Sequence, residues 1–214
     1  MTQSIRIDLF TDVVCPWCLI GTARLDQALA TLPEDVYVEI LHHPFLLDPT
    51  TPEEGQNTKE RLKAKYGGDI DAMQARVEGA ARDAGVPLDM SVQPMSYPTI
   101  KPHTLIRSAA PEHQYGLAKA FAAAYFLEGK DITDDDLLAD IAAEHGYARE
   151  VALKLIADEA ENSTTKAMAV SASQQGINGV PFFIFNNQFA ISGGQPLEVF
   201  QRAFRVALGQ EELT

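Results

Sequence analysis

The sequence is poor in cysteine, in tryptophan and in positive charge. Its 214 residues include two cysteines and one tryptophan, and 30 acidic side chains outnumber 17 lysines and arginines, for a net charge of −13. Such an excess of negative charge repels nucleic-acid phosphates and anionic lipid surfaces, and no local basic patch offsets it. We therefore expect neither nucleic acid nor membrane among the partners of this protein.

Signals for export and for several common binding sites are missing as well. No apolar run approaches the length of a membrane span, and the start, MTQSIRIDLF, lacks the apolar stretch of a signal peptide. There is no internal repeat, no phosphate-binding loop and no dinucleotide fingerprint. The sequence thus predicts a cytoplasmic protein, and structural disulfides rarely persist in that compartment.

Both cysteines and the single tryptophan lie together in DVVCPWC, residues 12–18. A redox pair, half of a metal site and a structural staple would each explain this spacing. A staple is disfavoured because so short a loop restricts the unfolded chain little. Zinc needs further ligands, and the five histidines show no ligand-like spacing, so no metal ligand is assigned within the chain. A zinc-bridged interaction module, with two chains sharing one metal, stays open as an alternative.

The periodicity of apolar residues predicts an α/β protein with a long helical segment in its middle. Residues 5–10 alternate as a strand does, and from Pro16 the spacing becomes helical until Pro33. The remaining predicted elements are a strand at 36–41, helices between 49 and 176, strands at 180–185 and 189–192, and a closing helix at 196–208. A C-x-x-C therefore stands where a first strand meets its helix.

This position suits a reactive thiol. With Cys15 as the N-cap and Pro16 as the first helical residue, the free N–H groups at the helix start can point at the Cys15 sulfur. The helix dipole then favours the thiolate, which is the form that attacks disulfides. Cys18 should lie one turn further in, buried beneath Cys15 and ready to resolve a mixed disulfide. This chemistry requires the Cys15 sulfur to be open to solvent.

Four motifs, DVVCPWC, GVPFF, YFLEGKDITD and ISGGQP, together resemble the DsbA-family thiol-disulfide oxidoreductases. The resemblance covers nearly the whole chain and is greatest for the FrnE-like branch, which includes the 2-hydroxychromene-2-carboxylate isomerases. It implies a thioredoxin-like fold with a large all-helical insertion. The expected domains are a thioredoxin-like domain, 1–48 and 177–214, and an inserted helical domain, 49–176.

The resemblance also implies roles for single residues. Cys15 would be the nucleophile and Cys18 the resolving thiol, with Pro16 and Trp17 as the dipeptide that tunes them. Val180 would pair through its backbone with substrate, and Pro181 would be a cis-proline beside Cys15. The expected function is that of a protein-disulfide oxidoreductase or isomerase without a bound cofactor. Its partners would be protein or small-molecule thiols and disulfides, and the insertion could cover the substrate groove or form a homodimer face.

Two features separate this chain from its relatives. The isomerases commonly carry serine where this chain has Cys15, and they use glutathione. Retention of both cysteines favours redox chemistry, while a glutathione-dependent isomerase or transferase remains the alternative, with glutathione as co-substrate. In the insertion, relatives often read Asn-Thr then Ala-His, whereas this chain has Pro98-Thr99 and Pro102-His103. A role for His103 is therefore not assigned.

Overall fold

The structure of the protein, a computed structural model, describes residues 3–212. In chain order its helices and strands are β1 (Gln3–Thr11), α1 (Pro16–Leu29), β2 (Val36–Pro44), β3 (Gln56–Asn57), α2 (Thr58–Tyr66), α3 (Ile70–Asp83), β4 (Met95–Ser96), α4 (Ile100–Ser108), α5 (Pro111–Phe126), α6 (Asp135–Ala143), α7 (Arg149–Ala157), α8 (Glu159–Gln174), β5 (Phe182–Phe185), β6 (Phe189–Ser192) and α9 (Leu197–Ala207). None of the helices in this range is both long and apolar enough to cross a membrane.

A four-stranded sheet forms the centre of the molecule, in the order β2-β1-β5-β6. The strands β1 and β2 run parallel and are joined by α1, whereas β5 and β6 are antiparallel to their neighbours. The strand-helix-strand unit predicted from the periodicity is therefore confirmed. The strand β5 pairs with β1, with Phe182 opposite Phe10. The segment that follows β1 and carries the cysteines therefore lies next to the segment that precedes β5.

One face of the sheet packs on α1 and α9 through fully buried apolar side chains. Leu9 and Phe183 lie at the middle of this layer, and the ring of Phe183 meets that of Phe200 edge to face at 5.0 Å between centroids. Burial of one such side chain contributes about 1.5–3 kcal/mol. On the opposite face, Phe10 and Phe182 pack against Ala172 of α8, so helices cover both sides of the sheet.

The inserted helices share a hydrophobic core with the start of α1. Val14 and Ile20, from the first strand-helix unit, belong to the same buried cluster as Leu105 of α4 and Phe121 of α5. This shared core holds the insertion against the end of the sheet where the cysteines lie. The domain boundaries at 48 and 176 remain predictions, since continuous packing does not locate them.

The structure also differs from the expected element boundaries. The strands β3 and β4, of two residues each, carry no periodic signal and were not expected. The helix α1 ends at Leu29, before Pro33. The N-cap of α6 is Asp134, which accepts hydrogen bonds from Asp136 N and Leu137 N, although Thr133 and Asp136 have the spacing of a capping box. Thr133 instead donates to Asp131 in the preceding turn.

The helix α1 lies unusually close to the segment before β5, at Gly21. A Cβ atom added there would stand 2.9 Å from Cγ of Pro181 and 3.4 Å from Cα of Gly194. Only a residue without a side chain lets the helix approach this closely. Gly21 therefore sets the distance between the helix that begins at the cysteines and the loop that carries Pro181.

We expect Gly21→Ala to lower the free energy of unfolding by about 1–3 kcal/mol, because the added methyl group overpacks this contact. The matched control is Gly79→Ala in α3, where an added Cβ has only the flexible end of Arg82 nearby, at 3.7 Å. There the change should raise stability by up to about 1 kcal/mol, through helix propensity. Urea unfolding of both variants measures the change in the free energy of unfolding and its sign. A stabilised Gly21→Ala protein would contradict the packing argument.

Candidate active site

Cys15 stands at the junction of β1 and α1 as predicted. It is the N-cap of α1, with Pro16 at the first helical position, where its missing N–H costs least. The backbone N–H of Cys18 donates to the Cys15 sulfur at 3.3 Å, and both cysteines are free thiols. A sulfur thus occupies the place that a capping oxygen usually takes, next to the positive end of the helix dipole.

Cys18 is buried one turn into the helix. Burial raises the pKa of its thiol well above the ordinary value, and the hydrogen bond to Cys15 and the charge of Cys15 raise it further. The Asp12 backbone amide acts in the opposite direction and lowers the pKa of Cys18. Cys18 is therefore a protonated thiol at neutral pH, in contact with its partner.

The segment before β5 contacts Cys15 from the far end of the sequence. The Val180–Pro181 peptide bond is cis, and the Cys15 thiol donates to the Val180 carbonyl at 3.6 Å. The strand expected at 180–185 is shorter in the structure, since β5 begins at Phe182, although the Pro181 carbonyl still accepts from Gly193 N at 2.7 Å. The structure therefore brings Cys15, Cys18, Val180 and Pro181 together, as the resemblance implies.

The ISGGQP motif, one of the four that carry the resemblance, also reaches this site. Gly193 has a φ of 83°, which favours glycine, and its N–H holds the Pro181 carbonyl. A Cβ on Gly194 would lie 3.0 Å from the Trp17 carbonyl. The two glycines let this loop pack against both Pro181 and Trp17. The sequence pattern did not reveal this role.

The prediction that the Cys15 sulfur is open to solvent is wrong. The residue is only 3% exposed. Cys15 nevertheless lines a cleft of about 450 Å³ together with Pro16 and Trp17. Residues 45–47, after β2, and residues 178–180, before β5, line the same cleft as the α2 and α3 side chains. Thiol-disulfide exchange at Cys15 therefore cannot rest on an open sulfur, and it requires instead that a substrate disulfide enter this cleft.

The inserted helices α2 and α3 form the far wall of the cleft. Arg61 and Lys65 of α2 line it, as does Met73 of α3. Tyr125 of α5 lies at its base, and burial raises the pKa of the Tyr125 hydroxyl, which donates to the Met95 carbonyl at 2.7 Å. These four residues were missed by sequence reasoning, because helical periodicity does not tell which helix of an insertion packs over a distant cysteine.

A buried polar cluster lies behind the cysteines. Asp12 is 2% exposed; its carboxylate accepts from Leu47 N at 2.8 Å and lies 3.4 Å from Nε2 of His103. The His42 ring stacks on that of His103 and contacts the Thr11 hydroxyl, and burial lowers the pKa of His42 well below its ordinary value. His103, to which no role was assigned, therefore reaches the β1–α1 turn that carries Cys15.

His43 lies on the opposite face of the sheet from His42, as the alternation along β2 predicts. Its ring stacks on Phe10 and its Nε2 lies 2.7 Å from Asp8, away from the cysteines. Within residues 3–212 no group of three or more His, Cys, Asp or Glu side chains is arranged to hold a metal ion. A zinc ion on Cys15 and Cys18 would need its remaining ligands from a second chain.

Comparison with known proteins identifies the family. The profile of the DSBA-like thioredoxin domain matches residues 6–205. A probable DsbA oxidoreductase from Streptomyces coelicolor is 30% identical, with a TM-score of 0.82 over 98% of this chain and 92% of the other.

Two more distant structures share the fold. A 2-hydroxychromene-2-carboxylate isomerase is 17% identical, with a TM-score of 0.71 over 97% of this chain and all of the other. The cytosolic disulfide reductase DsbM from Pseudomonas aeruginosa, solved with GSH, is 15% identical, with a TM-score of 0.63 over 95% and 99% of the two chains. The predicted thioredoxin-like fold with a helical insertion is confirmed, and the chain belongs to the DSBA-like thioredoxin domain family.

Proposed function

We propose that this protein is a dithiol-disulfide oxidoreductase in which Cys15 attacks and Cys18 resolves. The observation that carries this proposal is the sulfur of Cys15 at the start of α1, where it accepts the Cys18 amide at 3.3 Å. The Cys15 thiolate attacks one sulfur of a substrate disulfide and releases the other as a thiolate. Cys18 then loses its proton and attacks Cys15, which releases the reduced substrate and leaves a Cys15–Cys18 disulfide.

The neighbouring residues have supporting roles in this proposal. Pro16 begins the helix without using an N–H group, and Trp17 forms part of the cleft wall beside the sulfur. The Val180 carbonyl, which accepts from the Cys15 thiol in the reduced protein, becomes free to pair with substrate once Cys15 has reacted. Pro181 holds this carbonyl next to the sulfur.

We also propose that the protein acts in the cytoplasm as a reductase or isomerase. A reducing pool keeps such a cysteine pair in the dithiol form when the potential of the pair is near −200 mV, roughly 60 mV above that of the pool. The likeness to a cytosolic disulfide reductase supports this direction. Protein and small-molecule disulfides are the substrates of this reaction.

Replacement of each cysteine separates the two proposed steps. We expect Cys15→Ser to abolish reduction of insulin disulfides, because no thiolate remains at the helix start. Cys18→Ser should also stop turnover but should leave a stable mixed disulfide on Cys15, because the resolving thiol is missing. Mass spectrometry of the non-reduced variants detects the adduct. A Cys18→Ser protein that turns over like the wild type, or an adduct on Cys15→Ser, would refute the assignment.

The raised pKa of Cys18 predicts a pH-dependent second step. Burial, its largest cause, persists when Cys15 is in a mixed disulfide, so Cys18 stays protonated and only its small thiolate fraction attacks. The first-order rate of resolution should therefore rise about tenfold per pH unit between about pH 6 and pH 8. Stopped-flow release of thiopyridone from 4,4′-dithiodipyridine by the reduced protein resolves the two phases.

In that experiment Cys18→Ser is the control, and its trace should lack the second phase altogether. A second phase whose rate is constant over this pH range would mean that Cys18 is already ionised, contrary to its burial.

A glutathione-dependent isomerase or transferase is the second candidate. The enclosed cleft beside Cys15 is large enough for a small-molecule ligand, and the isomerase and the GSH-bound DsbM share this fold. Isomerisation assisted by glutathione needs no resolving thiol. We therefore expect Cys18→Ser to retain full isomerase activity toward a 2-hydroxychromene-2-carboxylate if this candidate is correct, and wild-type protein to show none if it is a dithiol enzyme.

A further inference from the structure

The charge of the cleft is opposite to that of the molecule. Acidic side chains outnumber basic ones by 30 to 17 in the chain, yet none of the described residues that line the cleft is acidic. Its charged residues are Arg61 and Lys65, both on α2. A protein that repels anions in general therefore offers them one positively charged recess, and Cys15 lies in it.

Arg61 is held in the cleft wall with hydrogen-bonding capacity to spare. Its side chain is 11% exposed, and Nη1 lies 3.9 Å from Asp48, at the outer limit of an ion pair. The Asp48 carboxylate already accepts from Thr50 and from Gln56. The buried Nε of Arg61 has no hydrogen-bond partner anywhere in residues 3–212. A buried donor without a partner is costly, so Arg61 gains from a carboxylate that binds its guanidinium, with a side-chain shift where the buried Nε is the donor.

Lys65 adds a second, more mobile charge one turn further along α2. Its Nζ donates to the Leu47 carbonyl at 3.3 Å and lies 5.4 Å from the centre of the Tyr66 ring, on the exposed side of the helix. An ammonium group there attracts an anion toward the cleft, whereas the planar guanidinium of Arg61 can hold a carboxylate by two parallel bonds.

Apart from Arg61, Lys65 and the polar Thr58, Gln74 and Asn178, the wall is mainly apolar and suits the body of such a ligand. Its apolar side chains include Val14, Trp17, Phe45, Leu62, Met73 and Phe126. A volume of about 450 Å³ accommodates a small organic molecule and is too small for a folded protein domain. The recessed sulfur of Cys15 favours small disulfides in the same way, because they enter the cleft more readily than a disulfide on the surface of a folded domain.

We propose that the cleft binds low-molecular-weight disulfides that carry a carboxylate on an apolar body, with the carboxylate on Arg61. This inference rests on the proposed dithiol-disulfide exchange at Cys15. In one turnover the two thiols of the protein lose two electrons and two protons, the substrate disulfide becomes two thiols, and a Cys15–Cys18 disulfide forms. A thiol or dithiol reductant, such as dithiothreitol in the assay, returns the protein to its reduced form.

Two aromatic disulfides that differ in charge test the carboxylate site. The reduced protein is mixed with 5,5′-dithiobis(2-nitrobenzoate), which carries carboxylates, or with neutral 4,4′-dithiodipyridine. Arg61→Met should slow the first reaction about tenfold or more, because a charge-assisted hydrogen bond is lost, and change the second less than about twofold. Arg61→Lys should recover part of the rate.

Lys63→Met is the matched control, since Lys63 lies exposed on the same helix and does not line the cleft. It removes the same net charge, so general attraction would make the two variants alike. Equal effects of Arg61→Met and Lys63→Met, or an equal loss with both disulfides, would overturn the proposal. Normal reaction of Arg61→Met with the neutral disulfide shows in the same experiment that its fold is intact.

A binding measurement separates failure of the site from failure of the redox function. Trp17 is the single tryptophan and lines the cleft, so its fluorescence reports occupancy. The probe is 4-(methylthio)benzoate, a thioether that cannot exchange, with its neutral methylamide for comparison. Wild-type protein should bind the acid about tenfold more tightly than Arg61→Met does, and both should bind the amide equally. Binding without exchange would refute only the proposed function, whereas no difference between the two proteins refutes the carboxylate site.

Discussion

The sulfur of Cys15 caps the first helix, and the chemistry of the site depends on this interaction. Serine, threonine, aspartate or asparagine normally supplies the capping oxygen, and here Sγ accepts the Cys18 amide instead. The unpaired N–H groups and partial positive charge of a helix start favour negative charge on that sulfur. Cys18 lies one turn further along the same helix, where burial raises the pKa of its thiol.

A second chain segment completes the site because of how the sheet is built. The strands β1 and β5 are neighbours, so the residues that precede β5 meet the residues that follow β1. Contact at this junction is close: Gly21 has no room for a methyl group against Pro181, and Gly194 lies against the Trp17 carbonyl. The Val180 carbonyl reaches the Cys15 thiol because these elements approach without intervening side chains.

The insertion changes what can reach the sulfur. A helix start by itself would present Cys15 to solvent, and the short Cys-Pro-Trp-Cys motif predicted such an open thiol. Instead α2 and α3 form a wall opposite the sulfur, and the apolar core shared by Ile20 and Phe121 keeps the insertion in place. In the proposed function, the insertion would select disulfides by size and charge, whereas the exchange reaction would take place at the strand-helix junction.

Local features of this protein were determined by the sequence itself. The alternation in β1, the helical spacing after Pro16 and the position of Cys15 at their junction follow from backbone geometry over a few residues, and the structure agrees with each of them. The contact of His103 with Asp12, the wall formed by Arg61 and the recess around Cys15 were decided only by tertiary structure. Each joins residues far apart in the chain, and such contacts depend on how whole helices pack, which periodicity along one segment does not encode.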